Sequence, residues 1–112
     1  MSDDWINEFI EEMSRANVLV DLRRSRFYPE YVILHLLVVP KDQRRRGLGT
    51  NAMQRLIRAA DEHRDTLALT PSGDFGASVR RLQSFYRRFG FRPSQMAAQY
   101  VNESYARPSK AL

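Results

Sequence analysis

The stretch "ILHLLVVPKDQRRRGLGTNAMQRLIRAA", Ile33 to Ala60, decides the architecture of this chain. It opens apolar, breaks at Pro40, passes Arg44, Arg45 and Arg46, and reaches Gly47-Leu48-Gly49 at the mouth of an amphipathic segment. The run from Tyr31 to Val39 predicts a strand closed by Pro40. From Leu48 onward Ala52, Met53, Leu56, Ile57 and Ala60 recur at three and four residues, which predicts a helix to about Arg64. "TLALT", Thr66 to Thr70, then predicts a short strand ended by Pro71. Strand, helix and strand in this order form one parallel crossover unit.

A strand that ends in a glycine-bearing loop and enters a helix exposes unpaired backbone N–H groups carrying roughly half a positive charge. Gly47 and Gly49 lack Cβ, so a phosphate can approach the main chain, and the three arginines before them add charge-assisted hydrogen bonds. A pyrophosphate is the natural guest. The pattern is not a Walker A loop, because no Lys-Ser or Lys-Thr follows Gly49, and it lacks the third glycine of the dinucleotide fingerprint. Both absences argue against a nucleotide-triphosphate enzyme.

Working outward, Trp5, Ile6, Phe9, Ile10 and Met13 recur at helical spacing between Asp3 and Arg15, with acidic residues in the first turn where the helix dipole favours them. Val18 to Arg24 alternates as a half-buried strand does. After "PSGDFGAS", a helix over about Ala77 to Phe89 carries Val79, Leu82, Phe85, Tyr86 and Phe89 on one face and stops at Gly90. "FRPSQ" reads as irregular, and "AAQYVNESYARP", Ala97 to Pro108, reads as a last strand with a polar tail.

Composition sets the outer bounds. A chain of 112 residues with 43% hydrophobic residues has enough apolar surface for one core and too little for two, which predicts a single domain over residues 1–112. The acidic N-terminus and the lack of any apolar run of about 18 residues argue against export and membrane insertion, and predict a cytoplasmic protein with no membrane partner. No cysteine is present, so disulfides, thiolate metal sites and cysteine nucleophiles are excluded. The net charge of +5 predicts attraction to anions without saying which.

A second motif narrows the choice. "LQSFYRRFGF", Leu82 to Phe91, places Phe-Tyr-x-x-x-Gly-Phe at a helix end. With Arg44-x-x-Gly47-x-Gly49 upstream on a parallel crossover, the chain from about Tyr31 to Phe91 resembles the GNAT superfamily of acyl-CoA-dependent N-acyltransferases. The resemblance implies an α/β (α+β) fold, a mixed and mostly antiparallel sheet with a central parallel β-α-β crossover. It implies that acetyl-CoA (coenzyme A) lies where the two parallel strands splay apart. The pantetheine would pair near Val38 and Val39, and the pyrophosphate would sit on Arg44, Arg45, Arg46, Gly47, Leu48, Gly49 and Thr50. A primary amine would attack the thioester directly in a ternary complex, with no metal.

By the same resemblance Tyr86 matches the tyrosine that protonates the departing thiolate, a role within reach of a phenol. From its spacing alone Tyr86 reads as a core aromatic beside Leu82 and Phe89. His35 stands inside the apolar strand, where its imidazole would accept, directly or through water, the proton that the amine loses. A histidine in a strand also serves structurally, through a satisfied hydrogen bond. Asp74 and Ser78 precede the last long helix and either touch substrate or cap it; capping suits Ser78.

Two features depart from the family. Val79 stands where an asparagine is common, and only about thirty residues precede the strand holding His35, where the family has further strands and a helix. The short N-terminal side predicts either an acceptor site open to a large partner, with a small molecule or a protein as the amine substrate, or a homodimer covering the free sheet edge. Two other classes stay open: a basic nucleic-acid-binding or regulatory protein, which the charge allows, and a non-catalytic acyl-CoA-binding protein, which the resemblance allows.

Overall fold

The computed structural model describes residues 4–43, 47–72 and 78–110. Helix α1 (Asp4–Arg15) buries Trp5, Ile6, Phe9 and Met13, the stripe its period requires. Asn17 then takes a left-handed turn (φ 62°) into strand β1 (Leu19–Arg24), which pairs antiparallel with β2 (Tyr31–Val38). A 3₁₀ turn over Lys41–Gln43 precedes helix α2 (Leu48–Glu62), which returns the chain to β3 (Thr66–Leu69), parallel to β2. Helix α3 (Val79–Arg88), strand β4 (Arg92–Pro93), helix α4 (Gln95–Val101) and strand β5 (Tyr105–Arg107) complete the described elements.

The sheet order is β1-β2-β3-β5-β4, antiparallel at every pair except β2–β3. This is the mixed, mostly antiparallel sheet that the resemblance implies, around the central crossover that the sequence predicts. Val20, Leu22, Val32, Leu34, Leu67 and Leu69 point to one face, where α1 and α2 close over them with Met53 and Leu56 fully buried. Tyr31, Ile33, Ala68 and Ala106 point to the other, under Ala97 and Val101 of α4. Among the described residues no helix is long and apolar enough to cross a membrane.

The C-terminal reading needs correction. The expected strand over Ala97 to Pro108 is a helix followed by a short strand, and Arg92–Pro93 within the expected irregular segment pairs with β5. Ser94 Oγ accepts from the Ala97 amide at 3.1 Å and starts α4, and Asn102 ends it at φ 60°. Ala97 and Val101, four residues apart, then land together on the second face of the sheet. A strand in their place would leave Tyr31 and Ile33 uncovered.

Two buried charge pairs bind the layers. Asp65, 5% exposed, accepts from Trp5 Nε1 at 3.0 Å and from both terminal nitrogens of Arg24 at 2.8 and 3.1 Å, tying α1, β1 and the entry to β3. Arg107, 4% exposed, donates to Asp61 at 2.7 and 3.2 Å and to the Phe89 carbonyl at 2.7 Å, joining β5, α2 and the end of α3.

The hydrogen bond from Arg107 holds the Asp61 carboxyl below the usual carboxylate range, against an opposing push from burial. A depressed folded-state pKa gives stability that is present above the unfolded value and lost as pH falls through the folded one. Asp61→Asn is therefore expected to cost roughly 2 kcal/mol at neutral pH, discounted from a fully buried pair because 25% of the Asp61 side chain is exposed. Urea unfolding should show that difference shrinking as pH drops below about 4.

Candidate active site

Strands β2 and β3 pair at Tyr31↔Thr66, Val32↔Leu67 and Ile33↔Ala68, and there the parallel ladder stops. Strand β2 runs on to Val38, pairing with β1 as far as Leu19↔Val38, and among the described residues no strand pairs with its other edge beyond Ile33. Peptide groups along a strand point to both of its sides, so this part of β2 aims N–H and C=O groups into the gap. An extended ligand can pair with such an edge.

His35 marks a bulge on β2. Leu22 faces Leu34 and Asp21 faces Leu36, which leaves His35 as the extra residue. The consequence is visible in the core: Val32, Leu34 and Leu37 face α1 and α2, a spacing of two and then three. His35 itself is exposed. The sequence conceals the bulge because "YVILHLLV" is apolar on both faces, so its alternation shows no break.

Helix α2 starts at the far side of this gap. Its N-cap is Gly47, at φ 75°, a left-handed conformation suited to glycine, and no side chain caps the first turn. Among the described residues no side-chain bond to the first-turn N–H groups stands in place of a cap, and these groups present the positive end of the helix dipole. A Cβ at Gly47 would meet nothing within 4 Å, so this side of the turn is open. One on Gly49 would lie 3.8 Å from both Phe85 Cζ and Val39 Cγ2. The strand end, the glycine turn and α3 therefore converge around Gly49. A glycine turn and a helix N-terminus suit an anionic group, and an open strand edge suits an extended ligand that carries amides.

No residue of α3 is fully buried, although Phe85, Tyr86 and Phe89 lie against the main core. The Tyr-x-x-x-Gly-Phe ending has a mechanical explanation. Gly90 turns at φ 95°, where a Cβ would also press on Arg107 Nε at 3.2 Å. The turn returns the Phe91 amide to the Tyr86 carbonyl at 3.3 Å and buries the Phe91 ring, which meets the Tyr86 ring edge-on at 5.8 Å. Phe85 closes on the other side at 5.4 Å. Two rings and one main-chain bond thus fix Tyr86. Burial raises its phenol above the ordinary value of 10.0, so it stays a proton donor throughout the neutral range.

Val38 and Val39 lie half-buried at the end of β2, Leu48 and Thr50 in the first turn of α2. Arg44, Arg45, Arg46 and Asp74 lie outside the described residues. Ser78 Oγ accepts from the Arg81 amide at 3.4 Å and caps α3, as its position suggests. Among the described residues no hydrogen bond joins His35 to Tyr86. A separate open depression of about 700 Å³ follows the C-terminal half of α2, between Gln54 and Glu62, and contains none of these residues. We place the site at the parted strands because the converging groups are there.

The Acetyltransferase (GNAT) domain family matches residues 11–93 of the sequence, and the chain belongs to that family. It therefore carries an acetyltransferase domain. Among solved structures, Ard1 from Thermoplasma volcanium is similar with 17% identity and a TM-score of 0.46, over 95% of this chain and 76% of that one. No curated protein matches the sequence.

The two glycines should separate on substitution. Gly47→Ala is expected to cost about 1–2 kcal/mol in thermal unfolding for its left-handed backbone. Gly49→Ala, with only ordinary contacts at 3.8 Å, should leave stability unchanged or raise it by up to about 1 kcal/mol.

Proposed function

We propose that this protein transfers an acetyl group from acetyl-CoA to a primary amine, by direct attack within a ternary complex. The observation that carries the reading is the parting of β2 and β3 beyond Ile33 and Ala68, directly before an uncapped glycine turn at the start of α2. Membership of the GNAT family supports the same conclusion. Acetyl-CoA supplies the activated thioester.

In this reading the peptide groups near Val38 and Val39 hold the pantetheine arm, and Gly47, Leu48, Gly49 and Thr50 hold the pyrophosphate, with Arg44, Arg45 and Arg46 adding charge. A main-chain N–H near Val38 donates to the thioester oxygen as negative charge develops there, an interaction worth about 3 kcal/mol in comparable sites. The amine nitrogen forms its bond to the carbonyl carbon, and the carbon–sulfur bond breaks. Tyr86 gives its phenolic proton to the departing sulfur, and its raised pKa keeps that proton available. His35, directly or through water, takes the proton released by the nitrogen, from the exposed position that the bulge gives it.

The first test is thermal unfolding with and without acetyl-CoA. A ligand at 100 times its dissociation constant adds about 2.7 kcal/mol of stability. An upward shift that is lost in Gly49→Glu is the expected result; no shift at millimolar cofactor would defeat the proposal.

Turnover distinguishes an enzyme from a non-catalytic acyl-CoA binder. Tyr86→Phe is expected to lower kcat about 10²-fold at neutral pH while leaving the acetyl-CoA thermal shift in place. Because burial raises the phenol pKa, the Tyr86-dependent fall of kcat in the wild type should come only above pH 10.0 and should vanish in Tyr86→Phe. His35→Gln should lower kcat/KM by about 10²-fold with little change in melting temperature, since the side chain is exposed.

A further inference from the structure

Strand β1 ends the sheet on one side, with no strand beyond it among the described residues. Its outer row of N–H and C=O groups is a template for pairing, and natural edges of this kind are blunted by charged side chains, proline or a bulge. The sequence Leu19-Val20-Asp21-Leu22-Arg23-Arg24 contains no proline, and the extra residue of the nearby bulge belongs to β2; its charges, Asp21 against Arg23 and Arg24, are of both signs, so they repel a copy in some registers and attract it in another. We propose that a second copy of this chain adds to the free edge of β1, antiparallel about a two-fold axis, so that one sheet runs through the dimer. The proposal is independent of the acetyl-transfer reading.

The charge pattern narrows the register to those centred on Val20 or Leu22, and the one centred on Leu22 gains opposite-charge pairs. Val20 and Leu22 face the main core, whereas Leu19, Asp21 and Arg23 lie on the opposite face. A two-fold axis normal to the sheet keeps each face on its own side, so directly opposed residues must come from the same face. Setting Asp21 against itself or Arg23 against itself opposes like charges, which destabilises a strand pair. With Leu22 opposite its own copy, Asp21 faces Arg23 of the second copy and Arg23 faces its Asp21. The exposed pair in which Arg23 Nε donates to Asp21 at 2.8 Å within one strand then becomes half of a four-group network. Exposed Leu19 is carried to the second copy's β1–β2 turn, the turn that bears exposed Phe27.

The neighbouring helix permits this approach. Glu12 of α1 reaches across to Arg55 of α2, so that flank faces inward along the molecule. At 100° per residue Asn7, Ile10 and Ser14 lie on the opposite flank, beside the β1 edge, and none is charged. Glu12 is thus turned away from its own copy across the axis.

Light scattering on the full chain at micromolar concentration should give twice the chain mass of 13.1 kDa. Asp21→Arg, which sets arginine against Arg23, should give 13.1 kDa under the same conditions, and Asp21→Arg with Arg23→Asp should restore the doubled mass. Arg23→Asp alone, which opposes carboxylates, is the second disrupting variant if Asp21→Arg does not fold by circular dichroism. A monomeric wild type, including one whose edge takes up an acceptor peptide instead, overturns the proposal. So does a dimer that survives the single substitutions, or a double variant that stays monomeric. Hydrogen exchange gives an independent reading: β1 amides should gain protection as concentration rises, and constant protection would count against the pairing.

Discussion

The short parallel contact between β2 and β3 is the constraint on which the site depends. Three residue pairs, ending at Ile33 and Ala68, hold the strands together at one end and let them part at the other. Had the ladder continued to Val38, the free peptide edge would be consumed and the N-terminus of α2 would stand behind a closed sheet. The contact is short partly because β3 is itself only Thr66–Leu69, whereas β2 runs on to Val38. On their other edges β2 pairs with β1 as far as Val38, and β3 pairs through Leu67 to Leu69 with β5.

Around that opening the chain spends its strongest interactions on position rather than on chemistry. Asp65 gathers Trp5 and Arg24 where the chain enters β3, and Arg107 ties Asp61 on α2 to the Phe89 carbonyl at the end of α3. Buried charges are costly unless paired and hydrogen-bonded, and both clusters satisfy that condition with two-pronged arginine–carboxylate contacts. The result is that α2, which carries the glycine turn, and α3, which carries Tyr86, are both referred to β5. Helix α3 remains half-exposed along its apolar face, which leaves that face available beside the gap.

Much of this was legible. The periodicity of Leu48 to Glu62 and the glycine turn before it place the crossover helix, and the apolar runs on either side place β2 and β3. Ser78 and Gly90 show the start and stop of α3 because capping and left-handed turns are local events that depend on few neighbours. The residues of α4 read as strand in the sequence. The helix signals are local too, at Ser94 and Asn102, but seven residues give a helical period little room to show, and "AAQYV" fits either period.

What the sequence by itself determined is the order of elements as far as α3, the glycine turn and the motif around Tyr86, all set by neighbours along the chain. Only the tertiary structure decided where the parallel ladder ends, that His35 is the bulged residue, and that Gly49 meets Val39 and Phe85. The physical reason is that register and contact are relations between distant segments. An apolar run such as Tyr31 to Val38 can pair, bulge or part from a neighbour without any change in its own pattern, and the choice is made by the packing of the helices against the sheet.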